Sequence, residues 1–221
     1  MWWPYFFFNS VLFYSSASAY LVPRLHRIDC FRYQSNSFYE REPIASFPEI
    51  EELGIINGII MKPEIGPLSL RIDAYSISDP STRIGYLSAF IRPFPFGLLQ
   101  LDTIQVANRR QILGFKRKGW RMSGPGITFV MGIWALRWAY DKGCKRAELL
   151  AVDDSDKMHS ILVRLYESFG FQSMRYVGET AASVPDRLLW GAVGTLMAIE
   201  LTPFFIEWSP KLKDLLAVKK N

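Results

Sequence analysis

The sequence predicts an α/β protein: a central mixed β-sheet flanked by helices, with a reduced N-terminal helical part. Two observations carry this. Three strand-like runs follow one another with short links between residues 68 and 108, and beyond Gly126 helical and strand-like runs alternate. Consecutive strands with tight links make an antiparallel meander, and the alternation adds parallel pairing with helices on the sheet's faces. A chain of 221 residues buries a core without covalent staples, and it fits one ordinary domain with extensions.

Residues 1–42 read as a targeting presequence and are set apart from the fold. An apolar run ends in Ala17-Ser18-Ala19, a small-residue pattern of the kind a signal peptidase cuts, and an Arg- and Ser-rich stretch follows from Tyr20. The arrangement resembles the two-part presequence of proteins sent to complex plastids. A plain secretory signal and an uncleaved anchor are the alternatives. Residues 43–67 are punctuated by Pro and Gly and predict an irregular extension, with a helical turn at FPEIEELG and a short strand at IINGIIM.

From residue 68 onward the elements come in order. LSLRIDAYSI and RIGYLSAFIRP are two strands joined through SDPST, and GLLQLDTIQVAN is the third. ITFVMGIWALRWAYDKG is apolar nearly all round and stops at Gly143, as a helix buried against a sheet would; it is too short and too interrupted, by Arg137, for a bilayer. RAELLAV is the next strand. In SDKMHSILVRLYESFG, residues Met158, Ile161, Leu162, Leu165 and Phe169 fall on one helical face, and Gly170 ends the run. FQSMRYVG and LLWGAVGTLM predict two more strands, and PFFIEWSPKLKDLL a terminal helix.

The net charge of +5 suits phosphorylated partners without singling any out. Cys30 and Cys144 stand alone, outside any metal-ligand spacing, so no metal is expected. No nucleophile elbow and no Gly-Lys-Ser/Thr follows a glycine loop, which leaves out hydrolase and P-loop chemistry.

One stretch asks for a ligand. Arg121-Met122-Ser123-Gly124-Pro125-Gly126 places an arginine and two alternating glycines in a loop directly in front of an apolar helix. First-turn amides are unpaired, and the helix dipole is positive there. Glycines let an anion come close to the backbone, and Pro125 removes a donor that would otherwise need a partner. The pattern fits a pyrophosphate.

This Arg-x-x-Gly-x-Gly run resembles the loop with which the GNAT superfamily of acyl-CoA N-acyltransferases grips coenzyme A. LVRLYESFGF is similar to that family's second signature, a helix ending in Tyr, three residues and Gly-Phe. The resemblance covers about Leu68 to Met197 and makes residues 68–221 an acetyltransferase domain. It implies acetyl-CoA as cofactor, held by Arg121, Met122, Ser123, Gly124 and Gly126 and by the strand carrying Ile104 and Val106. It also implies Tyr166 as general acid toward the departing thiolate, in contact with the cofactor, and an amine as acceptor: a protein N-terminus, a lysine or a small molecule. Three features depart from the family: residues Asn108 to Trp120 intervene between strand and loop, no helical hairpin precedes Leu68, and the helix bearing Tyr166 carries His159 where the family often has Asn.

For a base the sequence offers His159, two helical turns before Tyr166, then Asp102 on the third strand, then Asp153 or Asp154. Tyr166 as a plain core aromatic and His159 as a surface residue are the structural alternatives. The basic run Arg109, Arg110, Lys116, Arg117 and Lys118, with Phe115 and Trp120 among it, suggests the 3′-phosphate of the cofactor, an acidic acceptor, RNA or a solvated loop. It also supports a second reading of the whole: a non-catalytic module holding RNA or a protein partner through residues 109–121.

Overall fold

The computed structural model describes residues 44–92, 97–107, 124–180 and 183–218. The presequence, the basic run and Arg121, Met122 and Ser123 lie outside the described residues.

The chain begins with helix α1 (Phe47–Ile56), whose start is a capping box: the Ser46 hydroxyl accepts from the Glu49 amide, and the Glu49 carboxylate accepts from the Ser46 amide at 2.7 Å. Asn57 caps its other end, and Gly58, at φ 78°, turns the chain into strand β1 (Ile59–Ile65). Residues 43–67 are therefore not an irregular extension. They hold a helix and the first strand of the sheet, because Ser46, Pro48 and Glu49 supply a complete helix start in very few residues.

Strands β2 (Ser69–Ser76), β3 (Arg83–Arg92) and β4 (Leu98–Val106) continue the antiparallel meander. Helix α2 (Gly124–Asp141) leads to β5 (Arg146–Val152), which runs parallel to β4. Helix α3 (Asp156–Ser168), strand β6 (Gln172–Val177), helix α4 (Val184–Trp190), strand β7 (Gly194–Glu200) and helix α5 (Leu201–Val218) complete the order. The seven strands form one mixed sheet, β1-β2-β3-β4-β5-β7-β6. The expected strand over Leu188–Met197 is two elements: α4 ends on Gly191 in the left-handed region, and β7 starts three residues later.

One face of the sheet carries the core. Ile72, Leu87, Leu99 and Leu149 pack there against Ile127, Met131 and Trp134 of α2, Ile50 of α1 and Phe205 of α5, all buried in one cluster. Burying that much apolar surface is the main favourable term in folding. The other face carries Arg71, Asp73, Tyr86, Ser88, Phe90 and Glu148, knitted by ion pairs such as Arg71–Asp73 at 3.1 Å and Arg146–Glu148 at 3.1 Å. Among the described residues no helix is long and apolar enough to cross a membrane.

Helix α3 sits differently from its sequence pattern. Met158 and Ile161 are half exposed, whereas Tyr166 is the buried residue of the helix, at 8% exposure, with Leu162, Val163 and Phe169 packed beside it. The tyrosine turns inward because its ring meets Phe171 edge-on at 6.1 Å, just after the turn at Gly170.

Candidate functional site

Strands β4 and β5 face each other only from Leu98–Arg146 to Leu101–Leu149, and then they part. A bulge starts the parting. Ser88 of β3 faces Thr103 while Ala89 faces Leu101, so Asp102 is an extra residue that bends β4 away from β5. Beyond it the Ala107 amide donates to the Ile84 carbonyl of β3 at 2.8 Å. Backbone groups alternate sides along a strand, so those of Gln105 and Thr103 also turn to β3. The amides and carbonyls of Ile104 and Val106 therefore face the gap, where no described strand pairs with them.

Under the gap, on the core face, lies a narrow apolar cleft with about 20 Å³ of space, room for one water. It is bordered by Leu101 and Ile104 of β4, Leu149 of β5, Phe129 and Gly132 of α2, and Tyr166 of α3. No described group hydrogen-bonds the Tyr166 hydroxyl, and burial pushes its pKa above the ordinary phenol value. A phenol so placed keeps its proton at neutral pH and has it free to give.

Gly124 and Gly126 form the first turn of α2 rather than a loop before it. At Gly126 a Cβ would meet no atom of the described residues within 4 Å, and the backbone is not left-handed there. Neither packing nor conformation asks for glycine, and in a helix glycine is costly. Open space over a helix N-terminus suits the approach of an anion from outside. These residues fit the phosphate end of an acyl-CoA, and the inward-facing Ile104 and Val106 fit its amide-bearing arm.

The three candidate catalytic side chains are not gathered at one point. Asp102 is exposed on the face opposite the core, where it accepts hydrogen bonds from Ser88 Oγ at 3.3 Å and Thr103 Oγ1 at 3.1 Å. Tyr166 lies on the core face, and the parted strands separate the two. His159 does not line the cleft. Its Nε2 is 2.9 Å from Thr195 Oγ1, and its Nδ1 is 3.8 Å from the Asp153 carboxylate, which also accepts from the Tyr176 hydroxyl at 2.8 Å. That cluster fastens the first turn of α3 to β6 and β7. Asp154 is exposed just past β5.

Sequence reasoning missed Gln100, the residue two before the bulge. It is fully buried, and neither its amide nitrogen nor its oxygen has a partner among the described residues. Nothing in the residues around it announces this. Among the described residues there is no group of side chains that could hold a metal. Cys144 is buried, and its thiol is pushed up to about 11 by desolvation, which leaves it unreactive.

No protein-family model matches the chain, and no curated protein matches it. Solved structures do. Its structural neighbours are GNAT acetyltransferases. An aminoglycoside 6′-N-acetyltransferase from Enterococcus faecium is 13% identical, with a TM-score of 0.40 over 62% of this chain and 75% of that one. An acetyltransferase of the GNAT family from Staphylococcus aureus is 12% identical, with a TM-score of 0.41 over 69% and 73%. A Bacillus anthracis protein assigned as a streptothricin acetyltransferase, in complex with acetyl coenzyme A, is 14% identical, with a TM-score of 0.41 over 61% and 64%. Overlaps of this size fix neither activity nor substrate.

Proposed function

We propose that the protein is an acetyl-CoA-dependent N-acetyltransferase that passes the acetyl group directly to a primary amine. The observation that carries this reading is the parting of β4 from β5 at the Asp102 bulge, with the Ile104 and Val106 backbone facing the gap and Tyr166 beneath it. The first turn of α2, with Gly124 and Gly126, holds the pyrophosphate, and Arg121, Met122 and Ser123 immediately precede it.

Acetyl-CoA supplies an activated thioester; the chain's own residues supply position and protons. Backbone N–H groups in the gap polarise the carbonyl without any special side chain. Asp102 takes a proton from the incoming ammonium on the open face. The amine nitrogen would then bond to the carbonyl carbon and release its second proton to solvent, the carbon–sulfur bond would break, and Tyr166 would give its proton to the leaving sulfur on the core face and regain one from solvent. Base and acid stand on opposite sides of the sheet, so neither neutralises the other. His159 is a positioning residue for α3 in this scheme.

The test is steady-state kinetics with acetyl-CoA and a panel of primary amines, following free thiol. Direct transfer gives intersecting double-reciprocal lines, and parallel lines would mean an acetylated protein intermediate instead. We also propose that residues 1–42 direct the chain to a plastid, which sequencing of the mature N-terminus would check.

A further inference from the structure

Gly132 stands well inside α2, where glycine weakens a helix relative to alanine. Neither structural reason for a glycine applies to it. Its backbone is not in the left-handed region, and a Cβ there would meet no atom of the described residues within 4 Å. At Gly85, by contrast, an added Cβ would lie 2.9 Å from the Gln105 carbonyl oxygen, so packing alone accounts for that glycine.

The space left open at Gly132 belongs to the cleft beneath the parted strands. Gly132 and Phe129 of α2 form its floor, and Phe171, just before β6, and Phe204 of α5 close its side. Its volume of about 20 Å³ is room for one water, yet a buried water needs two or more polar partners and these walls are almost wholly hydrocarbon. A void of this kind stays dry, and it costs stability until an apolar group of methyl size enters it.

The acetyl-transfer reading, on which this inference rests, brings one such group here. With the thioester carbonyl held at the Ile104 and Val106 backbone and the sulfur near Tyr166, the methyl is the remaining substituent on the carbonyl carbon. Ile104 borders the gap and the cleft alike, so that methyl has the cleft below it.

We propose that Gly132 is the specificity-determining residue for the acyl group. The methyl of an acetyl group fills the space over it. A propionyl group adds a methylene for which the packed phenylalanines leave no room. A malonyl or succinyl group would carry a carboxylate into hydrocarbon, with no cation among the residues that line the cleft.

The experiment is calorimetric titration of CoA, acetyl-CoA, propionyl-CoA and malonyl-CoA into the full chain, native and Gly132→Ala, with thermal melts of both. The native protein should bind acetyl-CoA about fourfold more tightly than CoA, the effect of burying one methyl. Propionyl-CoA and malonyl-CoA should bind no more tightly than CoA. Gly132→Ala should hold CoA as the native protein does, lose the preference for acetyl-CoA and melt about 2–4 °C higher. A glycine with a purely structural part would give the change in melting without the change in preference. Propionyl-CoA bound by the native protein as tightly as acetyl-CoA would overturn the proposal, and that result depends on no variant. An acetyl preference that survives in Gly132→Ala would overturn it too. Failure of CoA itself to bind would remove the transfer reading along with this one, whereas CoA binding without acyl discrimination removes this one alone.

Discussion

Leu101 and Leu149 are the last residues that tie β4 to β5. One residue later Asp102 bulges out of β4, and no described strand pairs with the backbone that follows on that side. Leaving strand edges unpaired inside a sheet is unfavourable unless something else fills the place. The proposed chemistry depends on this one relationship.

Tyr166→Phe should lower kcat by about 10²-fold and leave the acetyl-CoA dissociation constant unchanged, because only the proton donor is removed. Its hydroxyl has no partner among the described residues, so the melting temperature should hardly move. The native rate should lose its acid only above pH 10, where the raised pKa places the titration. The unfolded chain gives up this proton first as pH rises, so the folded protein also loses stability there, and Tyr166→Phe should flatten that loss. A pH–rate profile beside a pH–stability profile checks both.

Gly126→Ala should act in opposite directions on stability and binding. The open space at Gly126 accepts a methyl group, and replacing a helical glycine stabilises by about 0.5–1 kcal/mol. The same methyl stands where the pyrophosphate approaches, so acetyl-CoA should bind about tenfold more weakly. Thermal melts and calorimetry on one preparation read the two effects separately.

Asp102→Asn should reduce the transfer rate by about 10²-fold with the acetyl-CoA Kd intact, since the carboxylate lies across the strands from the cofactor side. The side chain is exposed, so stability should stay within about 0.5 kcal/mol of the native value. His159→Gln should instead lower the melting temperature, because it cuts the hydrogen bond to Thr195, and should slow turnover less than Asp102→Asn does.

Ser46→Ala should cost about 1 kcal/mol by removing half of the α1 capping box. The Ser46 amide holds the Glu49 carboxyl below its usual range, opposed by burial and helped to a lesser degree by the Ser46 hydroxyl. The folded value lies below the unfolded one, so this contribution is present above about pH 4.3 and is lost as pH falls through the folded value. Urea denaturation of native and variant protein should therefore differ at pH 7, and by a smaller amount near pH 3, where only the hydroxyl's bond to the Glu49 amide still separates them.

Much of the architecture is legible in the residues because the signals are local and repeated. The meander follows from turn formers between alternating runs, and Gly143 and Gly170 mark helix ends where φ is indeed positive. What fails is set by contacts distant in sequence. The α3 stripe gives Met158 and Ile161 as buried, yet tertiary packing rotates the helix so that Tyr166 faces in. The run Leu188–Met197 is apolar enough for a strand, and only Gly191 in the left-handed region splits it into helix and strand. At the site, the glycines of α2 and the tyrosine of α3 are visible as motifs. The bulge at Asp102 and the orphaned amide of Gln100 are not, because register between strands leaves no mark on either strand alone.

The most direct test is titration of acetyl-CoA into the full chain by calorimetry, with Gly126→Glu as the control. Micromolar binding that the glutamate abolishes, in a variant that melts like the native protein, is the predicted result. No heat from folded native protein, or equal binding by Gly126→Glu, would contradict the placement of the cofactor between β4, β5 and the start of α2.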